Sequence, residues 1–312
     1  MGDGMSRNLL KAGRSLTVWN RSTDKATTLK SEFPDAVAIA ESPEEVIATC
    51  DLTYVMLSTP DAVKTVYEMD GGILSGISSG KCLVDCATLS TDDMLRLEAQ
   101  VSERGGTFLE APVSGSKGPA AAGELIFLAA GDHNLYSSIS EDLDVMGKAK
   151  FFLGEVGCGT RMKLCVNMTM GTMMAAYGEA LSLADASGLK SSELLDVLSL
   201  GVCNSPLLTL KGAKMIAGDH APNFPLKHAE KDMRLAVDLG LSVGLTMPVA
   251  ESADGKMVDA MNGYADEDFS ATIEAQRLIE ADVSTTTAGK KMPMDFGFSM
   301  PKSTEWTKEA AA

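Results

Sequence analysis

Hydrophobic and polar positions follow two different rhythms along the 312-residue chain. From Ser15 to about Gly154, short β-branched or apolar runs are separated by stretches of helical spacing, the pattern of a parallel sheet covered by helices. The runs predict strands over Leu16 to Trp19, Val37 to Ala40, Leu52 to Leu57, Cys82 to Asp85, Thr107 to Glu110 and Ile126 to Ala129. Each ends in a turn or a polar group. Asn20, Ser58, Asp85 and the Pro112 to Gly115 turn are thereby placed at carboxyl ends of strands, where open α/β sheets bind their ligands. Past Gly154 the strand pattern stops, Thr160 to Ser187 reads as one long helix, and shorter helical segments continue to about Ala281. Over 282–312 the composition shifts to Thr, Lys, Pro, Gly and Ala with no apolar period, which predicts a disordered tail. The expected organisation is a sheet domain over 1–156, an all-α domain over 157–281 that begins with the long helix, and the tail.

Composition narrows the functional classes. A formal net charge of -16 repels phosphate backbones and anionic membranes at long range, so nucleic acid is not an expected partner, although a local basic pocket can still hold an anion. Six cysteines are scattered singly without a C-x-x-C pair and read as reduced thiols. His133, His220 and His228 lack metal-ligand spacing, so no metal is expected. No uninterrupted apolar run reaches the roughly 20 residues that span a bilayer, and no signal-peptide pattern opens the chain. The expectation is a soluble, cytoplasmic protein, or an organellar one if a targeting segment preceded Met1.

Five segments carry candidate chemistry, each with a plainer alternative. Lys163, Asn167 and Gly171 fall at i, i+4 and i+8 on a helix that is apolar nearly all round. A lysine there either snorkels to water or, desolvated, has a lowered pKa and can act as a general acid. Asn167 left unsatisfied in a buried helix would cost roughly 1–3 kcal/mol. Glu110 to Pro119 contains a Ser-Gly-Ser turn, at Ser114, Gly115 and Ser116, whose hydroxyls and open amide N–H groups suit a small carboxylate, or which is a glycine-rich connector. Asn20-Arg21-Ser22-Thr23 closes a strand without a carboxylate; Arg21 can pair with a phosphate, with Ser22 or Thr23 donating, or the stretch is a solvated turn. Asp85 to Thr88 is a possible loop toward a ligand or the run-up to a helix N-cap at Ser90. Phe224 to Ala236 reads by charge pattern as an amphipathic helix with pairs such as Glu230 with Arg234.

Taken together, these segments resemble the β-hydroxyacid dehydrogenase family, and within it the glyoxylate and succinic semialdehyde reductases, over about Met1 to Ile279. Met1 to Gly13 resembles the end of the family's G-x-G-x-x-G fingerprint and its helix, with Gly2 as the third glycine. The first strand and the first two glycines would then be missing. A fingerprint started at Gly2 and Gly4 would need glycine where Arg7 stands. The resemblance implies a Rossmann-type doubly wound parallel sheet, incomplete at its N-terminus, followed by an all-α domain. It implies NADPH as cofactor, held by Gly2, Asn20, Arg21, Ser22, Thr23, Leu57, Thr88 and Lys231. Lys163 and Asn167 would be catalytic, and Ser114, Gly115, Ser116, Phe224 and Asp232 would meet the substrate. Ala87 stands where the family has serine in its D-x-S-T stretch, which removes one hydroxyl. The implied reaction is reduction of a small carboxylate-bearing aldehyde by a homo-oligomer. A 3-hydroxyisobutyrate-type dehydrogenase and a non-catalytic scaffold with this fold remain the alternatives.

Overall fold

The computed structural model describes residues 1–277. The expected tail, and the end of the helical domain near Ala281, lie outside the described residues.

The chain opens with α1 (Gly2–Lys11), β1 (Leu16–Val18), α2 (Thr23–Glu32), β2 (Val37–Ile39), α3 (Pro43–Thr49), β3 (Leu52–Val55), α4 (Pro60–Glu68) and α5 (Ile73–Gly76). There follow β4 (Cys82–Asp85), α6 (Thr91–Ser102), β5 (Thr107–Glu110), β6 (Val113–Ser114), α7 (Lys117–Ala122), β7 (Leu125–Gly131), α8 (His133–Ser138), α9 (Ser140–Met146) and β8 (Gly147–Phe152). Beyond these lie only helices among the described residues: α10 (Cys158–Ala186), α11 (Ser191–Leu200), α12 (Pro206–Ala217), α13 (Leu226–Ser242), α14 (Pro248–Tyr264) and a 3-10 turn over Phe269–Ile273. All six predicted strands are present, with bounds moved by one or two residues, and the fold is a Rossmann-type sheet followed by a helical part.

Alternation of side chains across the strands builds two cores. Val84 and Leu109 point to a cluster with Met5, Leu9, Leu143 and Met146, whereas their neighbours Leu83 and Phe108 join Ile47, Val63, Met94 and Leu97 on the other face. Helices on both faces follow from strands that are apolar on both faces. The helical part has its own core around Met174, Leu181, Met215, Met233 and Met257.

The sheet departs from the expectation in two ways. β3, β4 and β5 are parallel, but β7 runs antiparallel to β5, and β6 runs antiparallel to β7 while β8 is parallel to it. Neither β6 nor β8 was anticipated: the first has two residues, and the second carries Gly147, Lys148 and Lys150 in place of a β-branched run. Second, β1 and β2 form a separate two-stranded sheet that does not join β3 among the described residues. The break falls where the 3-2-1-4 order of a doubly wound sheet puts a central strand.

Local packing explains Gly4 without any ligand. A Cβ there would lie 2.7 Å from the Ala120 carbonyl carbon, so glycine lets α1 cross α7 closely, and Asn8 Nδ2 donates to the Ala120 carbonyl at 2.9 Å in the same contact. Helix α7 begins directly after the Ser114 to Ser116 turn, so this crossing fixes the exit of that turn.

Candidate active site

Two glycines bring α10 to the sheet. Gly157 has φ +97°, a left-handed conformation that favours glycine, and a Cβ on Gly159 would sit 2.2 Å from the Leu128 carbonyl oxygen of β7. A third, Gly171, opens the opposite approach: its Cβ would stand 2.4 Å from Met233 Sδ, so α13 can lie close against α10. Gly157 thus has a conformational reason for being glycine, and Gly159 and Gly171 a steric one.

Between these approaches lies a chain of polar groups. Lys163 is 6% exposed and Asn167 5%, so the lysine is buried and does not snorkel. Lys163 Nζ donates to Asn167 Oδ1 at 2.8 Å, and Asn167 Nδ2 donates to Asp232 Oδ2 at 2.5 Å. Lysine can only donate and a carboxylate only accept, so the asparagine amide has one orientation that serves both. Asp232 Oδ1 stands 2.7 Å from Lys231 Nζ, at an angle outside a hydrogen bond, and Lys231 Nζ donates to the Thr88 carbonyl at 2.6 Å. Asn167 is therefore satisfied on both sides, and this geometry has it orient the lysine.

Burial lowers the Lys163 pKa to about 8; Asp232 opposes that shift and the neighbouring Lys231 adds to it. One carboxylate thus faces two cationic side chains. The excess of positive charge in a site with little water stabilises negative charge that develops on a substrate oxygen, and it suits anionic ligands.

The Thr88 carbonyl is held in place by Asp85, which is fully buried at the end of β4. Ala87 N donates to Asp85 Oδ1 and Tyr67 Oη to Oδ2, each at 2.7 Å. Burial pushes this carboxyl up to about 6, against the effect of both hydrogen bonds. Ala87 is 2% exposed and brings no hydroxyl. Ser90 caps α6 by accepting from Asp93 N, so the capping alternative read for this stretch holds beside its contact with Lys231.

Ser114 ends β6, which packs against α10, and its neighbour Gly115 needs glycine at φ +131°. Ser116 precedes the first residue of α7 without a side-chain cap bond. Phe224 is half-buried and meets Phe269 edge-on at 5.5 Å between ring centroids. Its loop is fixed by Asp268, whose Oδ2 accepts from Asn223 N and Phe224 N at 3.0 and 3.1 Å and whose charge is met by Lys211 at 2.7 Å. The members of that buried pair are 57 residues apart, so no local spacing in the sequence marks it.

The residues expected to hold a nucleotide lie apart from this chain of bonds. Asn20, Arg21, Ser22 and Thr23 are exposed after β1, with Asn20 Nδ2 donating to the Ser22 carbonyl at 2.8 Å. Gly2 opens α1, whose N-terminus has no side-chain cap, and it lies beside Met56, next to half-buried Leu57 just past β3. Uncapped amides at a helix start, an exposed guanidinium at a strand end and the Thr88 loop fit a dinucleotide's phosphates and its distal ring.

Residues 1–162 match the family model described as the NAD binding domain of 6-phosphogluconate dehydrogenase, and residues 157–276 the one described as NAD-binding of NADP-dependent 3-hydroxyisobutyrate dehydrogenase. Glyoxylate/succinic semialdehyde reductase 2, chloroplastic, of Arabidopsis thaliana is 48% identical over 276 residues, 88% of this chain and 76% of that protein. Reductase 1 of the same plant is 47% identical, covering 88% and 94%. The cytokine-like nuclear factor N-PAC of Gallus gallus is 41% identical, but the chain spans only 49% of its length. A solved structure of 3-hydroxyisobutyrate dehydrogenase from Salmonella typhimurium superimposes with a TM-score of 0.79 at 25% identity, covering 88% of this chain and 95% of that one.

Asn167→Ala strands the Lys163 ammonium and one oxygen of Asp232 in a buried place. It is expected to lower stability by about 1–3 kcal/mol, read as an earlier urea midpoint; an unchanged midpoint would show that water replaces the amide at no cost.

Proposed function

The chain belongs to the β-hydroxyacid dehydrogenase family, and from that membership we propose that it uses NADPH to reduce a small aldehyde acid, glyoxylate to glycolate or succinic semialdehyde to 4-hydroxybutyrate. The observation that carries this reading is the buried chain from Lys163 through Asn167 and Asp232 to Lys231. A scaffold without catalysis has no use for a desolvated lysine, whose burial opposes its charge.

When bound, the nicotinamide supplies a hydride to the aldehyde carbon. The protein's part is to handle the oxygen. Lys163, with a pKa of about 8, is mostly protonated at neutral pH and gives its proton to the carbonyl oxygen as that oxygen gains charge. Asn167 aims the ammonium, and Asp232 keeps it charged enough to serve as an acid. Ser114, with the amides around Gly115 and Ser116, receives the distal carboxylate, and Phe224 borders the same space. Lys231 and Thr88 would hold the nicotinamide end of the cofactor, and Gly2 and Leu57 would lie on its phosphate side. Asn20, Arg21, Ser22 and Thr23 would hold the ribose end, with Arg21 pairing with the 2′-phosphate. The nucleotide-binding domain is taken as 1–156 and the all-α domain as 157–281. The reading extends to a cytoplasmic homo-oligomer, supported by exposed Leu183, Val197 and Leu200 on the helical part.

A second reading, oxidation of 3-hydroxyisobutyrate, is favoured by the likeness to the Salmonella enzyme. Initial rates on glyoxylate, succinic semialdehyde and 3-hydroxyisobutyrate with each cofactor separate the two. A clear preference for 3-hydroxyisobutyrate and NAD would overturn the proposal.

Lys163→Ala should lower kcat by roughly 10²–10⁴ with NADPH binding nearly unchanged, because only proton donation is lost; an unchanged kcat rules the role out. Arg21→Ala should weaken NADPH by about tenfold or more and leave NADH almost unaffected. Equal weakening of both cofactors would reject the contact with the 2′-phosphate.

A further inference from the structure

Helix α10 contributes no acidic residue to its own first turn, and no side chain of its own caps it. A helix start of this kind leaves amide N–H groups unpaired, and in the interior that costs stability. Here the partner comes from the sheet. Glu110, fully buried at the end of β5, accepts four hydrogen bonds: Oε1 from Gly157 N at 2.5 Å and Gly159 N at 2.9 Å, Oε2 from Thr160 N at 3.2 Å and Thr160 Oγ1 at 2.6 Å.

We propose that Glu110 is a positioning residue that locks the helix bearing Lys163 to the strand that leads into the Ser114 turn. Lys163 lies three residues after Thr160, less than one helical turn from the clamp. On the other side, Glu110 is followed by buried Ala111, Pro112 and Val113 and then by Ser114. One carboxylate therefore sets the separation between the proton donor and the turn assigned to the substrate carboxylate. Both of its oxygens and its negative charge are needed. A glutamine keeps the volume but turns an NH₂ toward amide donors, and the helix start also loses an anion at its positive end. Burial pushes the Glu110 carboxyl above the usual range while its four donors pull it down, so the clamp weakens once the group is protonated.

The kinetic part of this inference rests on the proposed reductase reading; the structural part does not. The test compares wild type, Glu110→Gln and Glu110→Asp by steady-state reduction of glyoxylate, NADPH titration, and hydrogen exchange of the Gly159 and Thr160 amides. In Glu110→Gln, kcat should fall about tenfold or more, the Kd for NADPH should stay within about twofold, and the two amides should exchange about tenfold faster or more. Glu110→Asp, which keeps the charge, should recover part of both losses. Unchanged exchange in Glu110→Gln overturns the clamp. A loss of activity matched by an equal loss of folded protein, with kcat per folded molecule intact, overturns its role in positioning. If wild type itself reduces no aldehyde acid, the reductase reading fails, and the exchange comparison alone decides whether Glu110 holds the helix.

Discussion

A cationic side chain on the buried face of a long helix is the constraint around which this structure is arranged. Desolvation of Lys163 outweighs the attraction of Asp232, because that carboxylate is shared with Lys231 and reaches Lys163 only through Asn167. The sign of the resulting linkage is definite. A lysine with a lowered folded-state pKa carries its full burial penalty below about pH 8, and the penalty is relieved as pH rises from there to the ordinary 10.5. In the proposed reading, the stability given up at neutral pH keeps a proton donor whose affinity lies near neutrality, where general acids are most effective.

That cost fixes much of the surrounding architecture. Glycines at 159 and 171 bring β7 and α13 against opposite approaches to α10; a Cβ on Gly159 would run into the Leu128 backbone carbonyl, and one on Gly171 would have to displace the Met233 side chain. Two neighbouring strand-end carboxylates, Asp85 and Glu110, are in register on β4 and β5. The first fixes the loop whose Thr88 carbonyl takes Lys231, and the second takes the start of α10. Buried charge at strand ends thus serves as a set of anchors for loops and helices that converge on Lys163. The groups proposed for the nucleotide are arranged differently: they are exposed after β1 or lie at an uncapped helix start, beside a sheet that is split in two.

The strands whose residues are apolar and β-branched were legible from the sequence, as was α10, because periodicity records burial directly. Lys163, Asn167 and Gly171 stood out as a polar stripe on an apolar helix, and the structure buries all three. Strand β8 did not stand out, since its burial is partial and two of its six residues are lysines. The anchors were hidden for another reason. Glu110 was visible only as the first residue of the turn segment, and Asp85 only as the start of a loop motif, because Tyr67 lies 18 residues from Asp85 and the partners of Glu110 lie 47 to 50 residues from it. A short strand with an apolar middle that ends in a lone acid is the signal that could have pointed to both; Tyr67, a single aromatic residue on α4, offered none.

The protonation of Lys163 can be observed without any substrate. Protein labelled with 13C at the lysine ε-carbons, with the Lys163 resonance identified by its loss in Lys163→Arg, can be titrated by NMR through the alkaline range. A midpoint near pH 8, well below the other lysines, is expected if burial governs this ammonium. A midpoint at the ordinary lysine value near 10.5 would mean that water or Asp232 fully compensates the burial, and the case for Lys163 as a tuned proton donor would fall.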